Sequence, residues 1–77
     1  MMQRRYTIVL DPDPDDGGYT VTVPALPGCV TQGDTVEQCV ERAQEAITGY
    51  IESLQARGLP VPEEVKPPRL VEVSVAA

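Results

Sequence analysis

The sequence has 77 residues, a formal net charge of −6, no His, Phe or Trp, and three Tyr. A chain this short forms one small domain, here residues 1–77, with a core of Val, Leu, Ile and Ala, and such a domain often gains stability by association. The acidic balance disfavours binding to nucleic acid, whose phosphates require cations. No apolar run approaches the roughly 20 residues of a membrane helix, and the N-terminus does not have the pattern of a signal peptide. We therefore expect a cytoplasmic protein.

The first two predicted strands span residues 4–11 and 18–24. In the first, Tyr6, Ile8 and Leu10 share one face, and Thr7 and Val9 share the other. In the second, apolar and polar side chains alternate, which is typical of a half-buried strand. In the second strand, Tyr19, Val21 and Val23 share one face and threonines occupy the other. The loop between the strands is rich in Asp, Pro and Gly and cannot continue either strand. The two segments therefore predict a long hairpin.

A tight turn follows the second strand. Pro24 ends that strand because it has no N–H group for the ladder, and Pro27 with Gly28 is typical of a turn. We predict a short third strand at residues 29–32, antiparallel to the second, and a bend at Gly33.

Residues 35–57 have the periodicity of an amphipathic helix. Asp34 or Thr35 is placed to cap the helix. Asp34 and Glu37 have the spacing of a capping box, and Gly58 is placed to end the helix in a left-handed conformation. Gly49, inside the helix, predicts a close approach to another backbone. The predicted buried stripe of the helix consists of Val36, Val40, Ala43, Ile47, Tyr50 and Leu54, with Cys39 beside it.

A Pro-rich connector leads to a last predicted strand at residues 69–75, in which Val71, Val73 and Val75 share one face. The predicted order is β-β-β-α-β, an α+β fold. The economical arrangement is a four-stranded mixed sheet of order 3-2-1-4 with one helix on one face, reached by a right-handed crossover. The uncovered face and the two sheet edges predict a homo-oligomer, a dimer or a tetramer, with the last strand as the candidate contact.

The segment GGYTVTVPALPGCVTQGDT, residues 17–35, resembles the signature of the HicB-like antitoxin family. The resemblance extends from about Tyr6 to the Pro-rich stretch after the helix. It implies a truncated ribonuclease H-like fold and a partner of the HicA type, a small basic messenger-RNA-cleaving toxin that is neutralised by steric occlusion. Many members continue into a C-terminal DNA-binding domain, and we expect a short single-domain member without it. The signature residues that we assign to the fold are Gly18, Tyr19, Pro24, Pro27, Gly28 and Gly33.

No constellation in the sequence predicts catalysis, a cofactor or a metal site. The spacing of Asp11, Asp13 and Asp15 opens like a calcium loop, but its flanks are strands and its later ligands are missing. Asp11 and Glu72 do not converge as a two-metal nuclease requires. Cys29 has no His to activate it, and we expect it to pack in a turn near the core.

We therefore expect a binding protein rather than an enzyme. The first hypothesis is an antitoxin whose acidic groups complement a basic toxin, with Asp13, Asp15, Asp16, Glu41 and Glu45 as candidate contacts. The alternative is an orphan homo-oligomeric scaffold domain with no toxin partner.

Overall fold

The computed structural model describes residues 3–76. In chain order it contains β1 (Val9–Pro12), β2 (Tyr19–Thr22), β3 (Val30–Gly33) and α1 (Val36–Ala56). The strands form one antiparallel sheet of order β1-β2-β3. Helix α1 covers one face and packs more extensively against β3 than against β2. No helix among residues 3–76 is long and apolar enough to span a membrane.

Strand pairing separates the face of the sheet that α1 covers from the open one. Val21 lies between Leu10 of β1 and Thr31 of β3 on the face that α1 covers, and it is fully buried. The neighbouring row, Val9, Thr22 and Val30, lies on the opposite face. This two-residue alternation is the one that the sequence predicted for the hairpin, and it places the core between the sheet and α1.

The core has two adjoining clusters that share contacts with Ile8 and Ile47. One contains Val21, Cys39 and Ala43. The other contains Val23, Leu26 and Cys29, so the turn after β2 contributes to the core. The expectation that both cysteines are buried is confirmed, and both are free thiols.

The turn between β2 and β3 is closed by its own backbone. The N–H group of Val23 donates to the carbonyl of Cys29, and the N–H groups of Leu26 and Cys29 donate to the carbonyls three residues earlier. Gly28 has φ +81°, which suits the third position of a turn that begins Leu26-Pro27. Pro24 and Pro27 therefore lie in a turn that folds the chain back and buries Leu26 in the core.

Helix α1 begins one residue later than the predicted capping box requires. Thr35 is the N-cap: its hydroxyl accepts a hydrogen bond from the N–H group of Gln38 at 3.1 Å. The Gln38 side chain in turn accepts from the N–H group of Asp34 at 2.6 Å. Of the two cap residues that the sequence allowed, Thr35 is the one observed. The predicted Asp34–Glu37 capping box is wrong, because Thr35 and Gln38 make the capping bonds instead.

The predicted end of α1 is confirmed. Gly58 has φ +67°, its N–H group donates to the carbonyl of Gln55, and that of Leu59 donates to the carbonyl of Leu54. This pair of bonds is a Schellman motif. Three predictions within the helix are wrong: Val36 is 54% exposed and Val40 43%, and nothing lies within 4 Å of a Cβ built on Gly49.

The prediction of a four-stranded mixed sheet of order 3-2-1-4 is wrong, and with it the truncated ribonuclease H-like arrangement that depends on a fourth strand. Residues 69–75 form no strand, and residues 4–8 precede β1 without regular secondary structure. The chain extends 54 Å along its longest axis, and its radius of gyration is 15.0 Å, against about 11–12 Å for a compact chain of this length.

The connector runs beside the chain that precedes β1. The Tyr6 hydroxyl donates to the carbonyl of Pro62, and the N–H group of Thr7 donates to the Glu64 carboxylate. Pro67 and Pro68 follow these contacts and directly precede the last segment. Proline has no N–H group to donate to a strand edge, so these two residues are unsuited to strand pairing.

Candidate protein-binding surfaces

The glycines of the signature bring three elements into close contact. A Cβ on Gly18 would lie 2.7 Å from the carbonyl oxygen of Gly33, and Gly18 also has φ +75°. A Cβ on Gly33 would lie 2.8 Å from the Sγ atom of Cys39. Only glycine fits at either position without displacing backbone, so the signature determines how closely the hairpin, β3 and α1 pack.

The remaining signature residues have structural roles as well. Tyr19 packs against the core cluster around Val21. The carbonyl of Pro27 accepts a hydrogen bond from the Tyr50 hydroxyl at 2.8 Å, which ties α1 to the turn after β2. These signature residues serve the packing of the fold. Candidate contacts with a partner are therefore sought among the exposed side chains.

Asp13 organises the hairpin loop. Its Oδ1 atom accepts hydrogen bonds from the N–H groups of Asp15 at 2.9 Å and Asp16 at 3.1 Å. These backbone donors, first that of Asp16, lower the pKa of the Asp13 carboxyl below its usual range. The bonds keep the loop compact and leave the side chains of Asp15 and Asp16 exposed.

Two shallow polar grooves meet along the β3 side of the molecule. The first lies between the hairpin loop and the start of α1, and the second lies between β3 and the middle of α1; Gln38 and Arg42 line both. We call the acidic groups along these grooves the β3-side acidic surface. Its members are Asp13, Asp16, Asp34, Glu41 and Glu45.

This surface brings together four of the five predicted contact residues. Asp15 is in the same loop but does not line either groove, and Asp34, which sequence reasoning assigned to the helix cap, belongs to the surface. The pairing of Tyr19 with Gly33 places the end of β3 beside the hairpin loop, and Asp34 follows directly. Only the strand register brings these distant residues together.

A groove of different character lies on the β1 side of α1. We call it the β1-side groove: its apolar lining is Ile8, Val40, Ala43 and Ile47, and Arg4 and Arg5 lie at its edge. The groove has a volume of about 540 Å³. It lies between α1 and the residues that lead into β1, on the side of the helix away from β3. α1 packs mainly on β3 and β2, which leaves this side partly uncovered.

Two chemistries considered for this sequence, metal binding and thiol attack, find no suitable group among the described residues. Among residues 3–76, no group of three or more His, Cys, Asp or Glu side chains could hold a metal ion. Burial raises the pKa of the Cys29 thiol, which disfavours the thiolate that a nucleophile or metal ligand requires.

The fold and surfaces therefore define a class: a small α+β domain whose signature is structural and whose polar chemistry lies on an exposed surface. Residues 6–74 match the family model described as the HicB_like antitoxin of bacterial toxin-antitoxin system. The chain belongs to this family, as its signature predicted.

Similarity to individual proteins agrees with this assignment. The chain is 45% identical over 60 residues to a UPF0150 protein of Thermoplasma acidophilum, covering 78% of this chain and 86% of that protein. It is 49% identical over 65 residues to a UPF0150 protein of Synechocystis, covering 80% and 81%. It is also 37% identical over 62 residues to Antitoxin HicB of Escherichia coli K12, covering 75% of this chain and 44% of that protein.

Proposed function

We propose that this chain acts as an antitoxin that binds a HicA-type RNA-cleaving toxin and covers its RNA-binding face without catalysing a reaction itself. The observation that carries the proposal is the β3-side acidic surface. A toxin that binds RNA needs a cationic face for the phosphates, and a surface of carboxylates on a compact scaffold is complementary to that face.

The position of the acidic groups supports occlusion by one continuous contact. Asp16 at the hairpin loop and Glu45 on α1 lie in adjoining grooves that share Gln38 and Arg42. Arg42 lies among the carboxylates, where its positive charge limits their mutual repulsion. Its guanidinium group can also donate hydrogen bonds to an acidic group on a partner. Exposed charges of this kind raise the association rate and contribute less to the lifetime of the complex.

A charge-reversal experiment tests the proposal by measuring association with a purified HicA-type toxin from the same cell. The variant D16K/E41K/E45K reverses three exposed members of the acidic surface and keeps Asp13, which organises the loop, and Asp34, which precedes the N-cap. We expect the association rate to fall by at least about tenfold at low ionic strength, with a flatter dependence on salt.

The matched control is E52K/E63K/E72K, which has the same net charge but reverses carboxylates outside the two grooves. We expect its association rate to change by less than about threefold. Equal losses in both variants would show that only net charge matters and would contradict a defined acidic contact. If the wild-type chain neither binds the toxin nor suppresses its RNA cleavage, the antitoxin proposal fails.

The alternative function, an orphan homo-oligomeric scaffold, is favoured by a separate observation. The segment after the connector is apolar and exposed, and the β1-side groove is apolar and open. A chain that assembles with itself but protects against no neighbouring toxin would support this alternative.

A further inference from the structure

The C-terminal segment has the pattern of a strand but no partner in its own chain. Leu70 is 99% exposed, Val71 74%, Val73 80% and Val75 82%. The three valines alternate with Glu72 and Ser74, so an extended segment presents one apolar face and one polar face. Exposed apolar residues in a strand pattern promote association through backbone pairing.

The sheet has an unpaired edge strand and, near it, a partly uncovered apolar groove. β1 is an edge of the sheet, and no strand among residues 3–76 pairs with its outer side. Beside that edge, the β1-side groove exposes Val40 and leaves Ile8 and Ile47 only half-buried. A strand added to this edge would place every second side chain over the groove, on the face that α1 partly covers.

The segment does not occupy this position in its own chain: residues 69–75 form no strand, and Val71, Val73 and Val75 are exposed. The connector contacts the chain before β1 through the carbonyl of Pro62 and the carboxylate of Glu64. Pro67 and Pro68 follow these contacts, and proline has no N–H group to donate to a strand edge.

We propose that residues 70–75 of one copy add as a strand to the β1 edge of a second copy, with Val71, Val73 and Val75 over the β1-side groove, in a reciprocal dimer. A second copy carries both the unpaired segment and the unpaired edge. Two chains related by a twofold axis can therefore each add their C-terminal segment to the β1 edge of the other. The Pro-rich connector supports the exchange because it is extended and holds the segment away from its own sheet.

The first test is the oligomeric state of the isolated chain, which does not depend on any toxin. Analytical ultracentrifugation at 50 μM, chosen as roughly 50 times a micromolar Kd, should show a dimer for the wild type. V73K should raise the dimer Kd at least about tenfold, since a lysine cannot be buried in the apolar groove at low cost. S74K is the matched control: it adds the same charge on the opposite face and should remain dimeric.

Loss of folding does not explain a monomeric V73K, because Val73 is exposed in the single chain. Thermal unfolding at low concentration should be the same for V73K and S74K. A monomeric wild type, or a dimer that V73K and S74K weaken equally, would overturn the proposal.

The second test locates the contact. In a mixture of isotope-labelled and unlabelled chains, filtered NMR experiments should detect nuclear Overhauser effects between the Val73 methyl groups of one copy and Ile8 or Val40 of the other. V40K, on the groove side, should weaken the dimer as V73K does. Contacts between two Val73 residues, or contacts to Ile8 within one chain only, would each overturn the exchanged arrangement.

Discussion

β2 and the C-terminal segment have the same alternating pattern but opposite environments. In β2 and just after it, Val21 and Val23 are buried against α1. In the C-terminal segment, Val73 and Val75 are exposed and form no strand. β2 has a neighbour on each side at a register set by short connections, whereas the C-terminal segment follows a Pro-rich connector and pairs with no strand among residues 3–76. Alternation therefore makes a segment able to form a strand, and an accessible partner determines whether it does.

The largest expected effect comes from a matched pair of leucines, one in each region. Leu26 is fully buried and Leu70 is almost fully exposed. Leu26→Ala should lower the free energy of unfolding by about 2–5 kcal/mol because it leaves a cavity in the core. Leu70→Ala should leave it unchanged in denaturant titrations at sub-micromolar concentration, where association is minimal. Similar losses for both variants would show that the C-terminal segment packs within its own chain.

A second comparison uses two glycines with different surroundings. Gly33→Ala should destabilise the protein by about 1–3 kcal/mol, because the new Cβ collides with Cys39 of α1. Gly49→Ala should stabilise it by about 0.5–1 kcal/mol, since the site is open and alanine favours the helix. Thermal denaturation of the two variants should show shifts of opposite sign. A loss of stability in Gly49→Ala would indicate a contact at that position.

A smaller effect distinguishes the observed helix cap from the predicted one. Thr35→Ala removes the hydroxyl that accepts from Gln38 and should cost about 1 kcal/mol. Glu37→Gln removes the charge of the predicted capping residue and should cost less than about 0.5 kcal/mol. Helix content and stability can be followed by circular dichroism during urea unfolding. A larger loss of stability for Glu37→Gln than for Thr35→Ala would support the predicted Asp34–Glu37 capping box.

The smallest effect concerns Asp13 and acid. Its pKa is lowered in the folded chain, so its carboxylate contributes stability above the unfolded pKa of about 3.9. That contribution is lost as the pH falls through the lower folded pKa. Asp13→Asn should flatten the decline of the melting temperature below about pH 4, and Asp15→Asn, which retains its backbone bond to Asp13, should not. Identical profiles for the wild type and Asp13→Asn would contradict a role of this carboxylate in the loop.

The residues that were predictable from the sequence are those whose structure depends on near neighbours. The turn at Pro27 and Gly28 and the helix end at Gly58 follow from backbone restrictions on proline and glycine. The predicted contacts Glu41 and Glu45 are exposed on α1, as periodicity implied. The inclusion of Asp34 in the acidic surface was not predictable, because it depends on the register between β2 and β3.

The sequence by itself determined three strand-forming segments before an amphipathic helix, the signature of the HicB-like antitoxin family, and an acidic net charge. Only the tertiary structure decided that Val40 borders a groove, because this depends on how α1 lies over the sheet. It also decided that residues 69–75 stay outside the sheet, although their alternation is that of a strand. Local preferences act within a few residues, whereas both of these outcomes depend on contacts between distant parts of the chain.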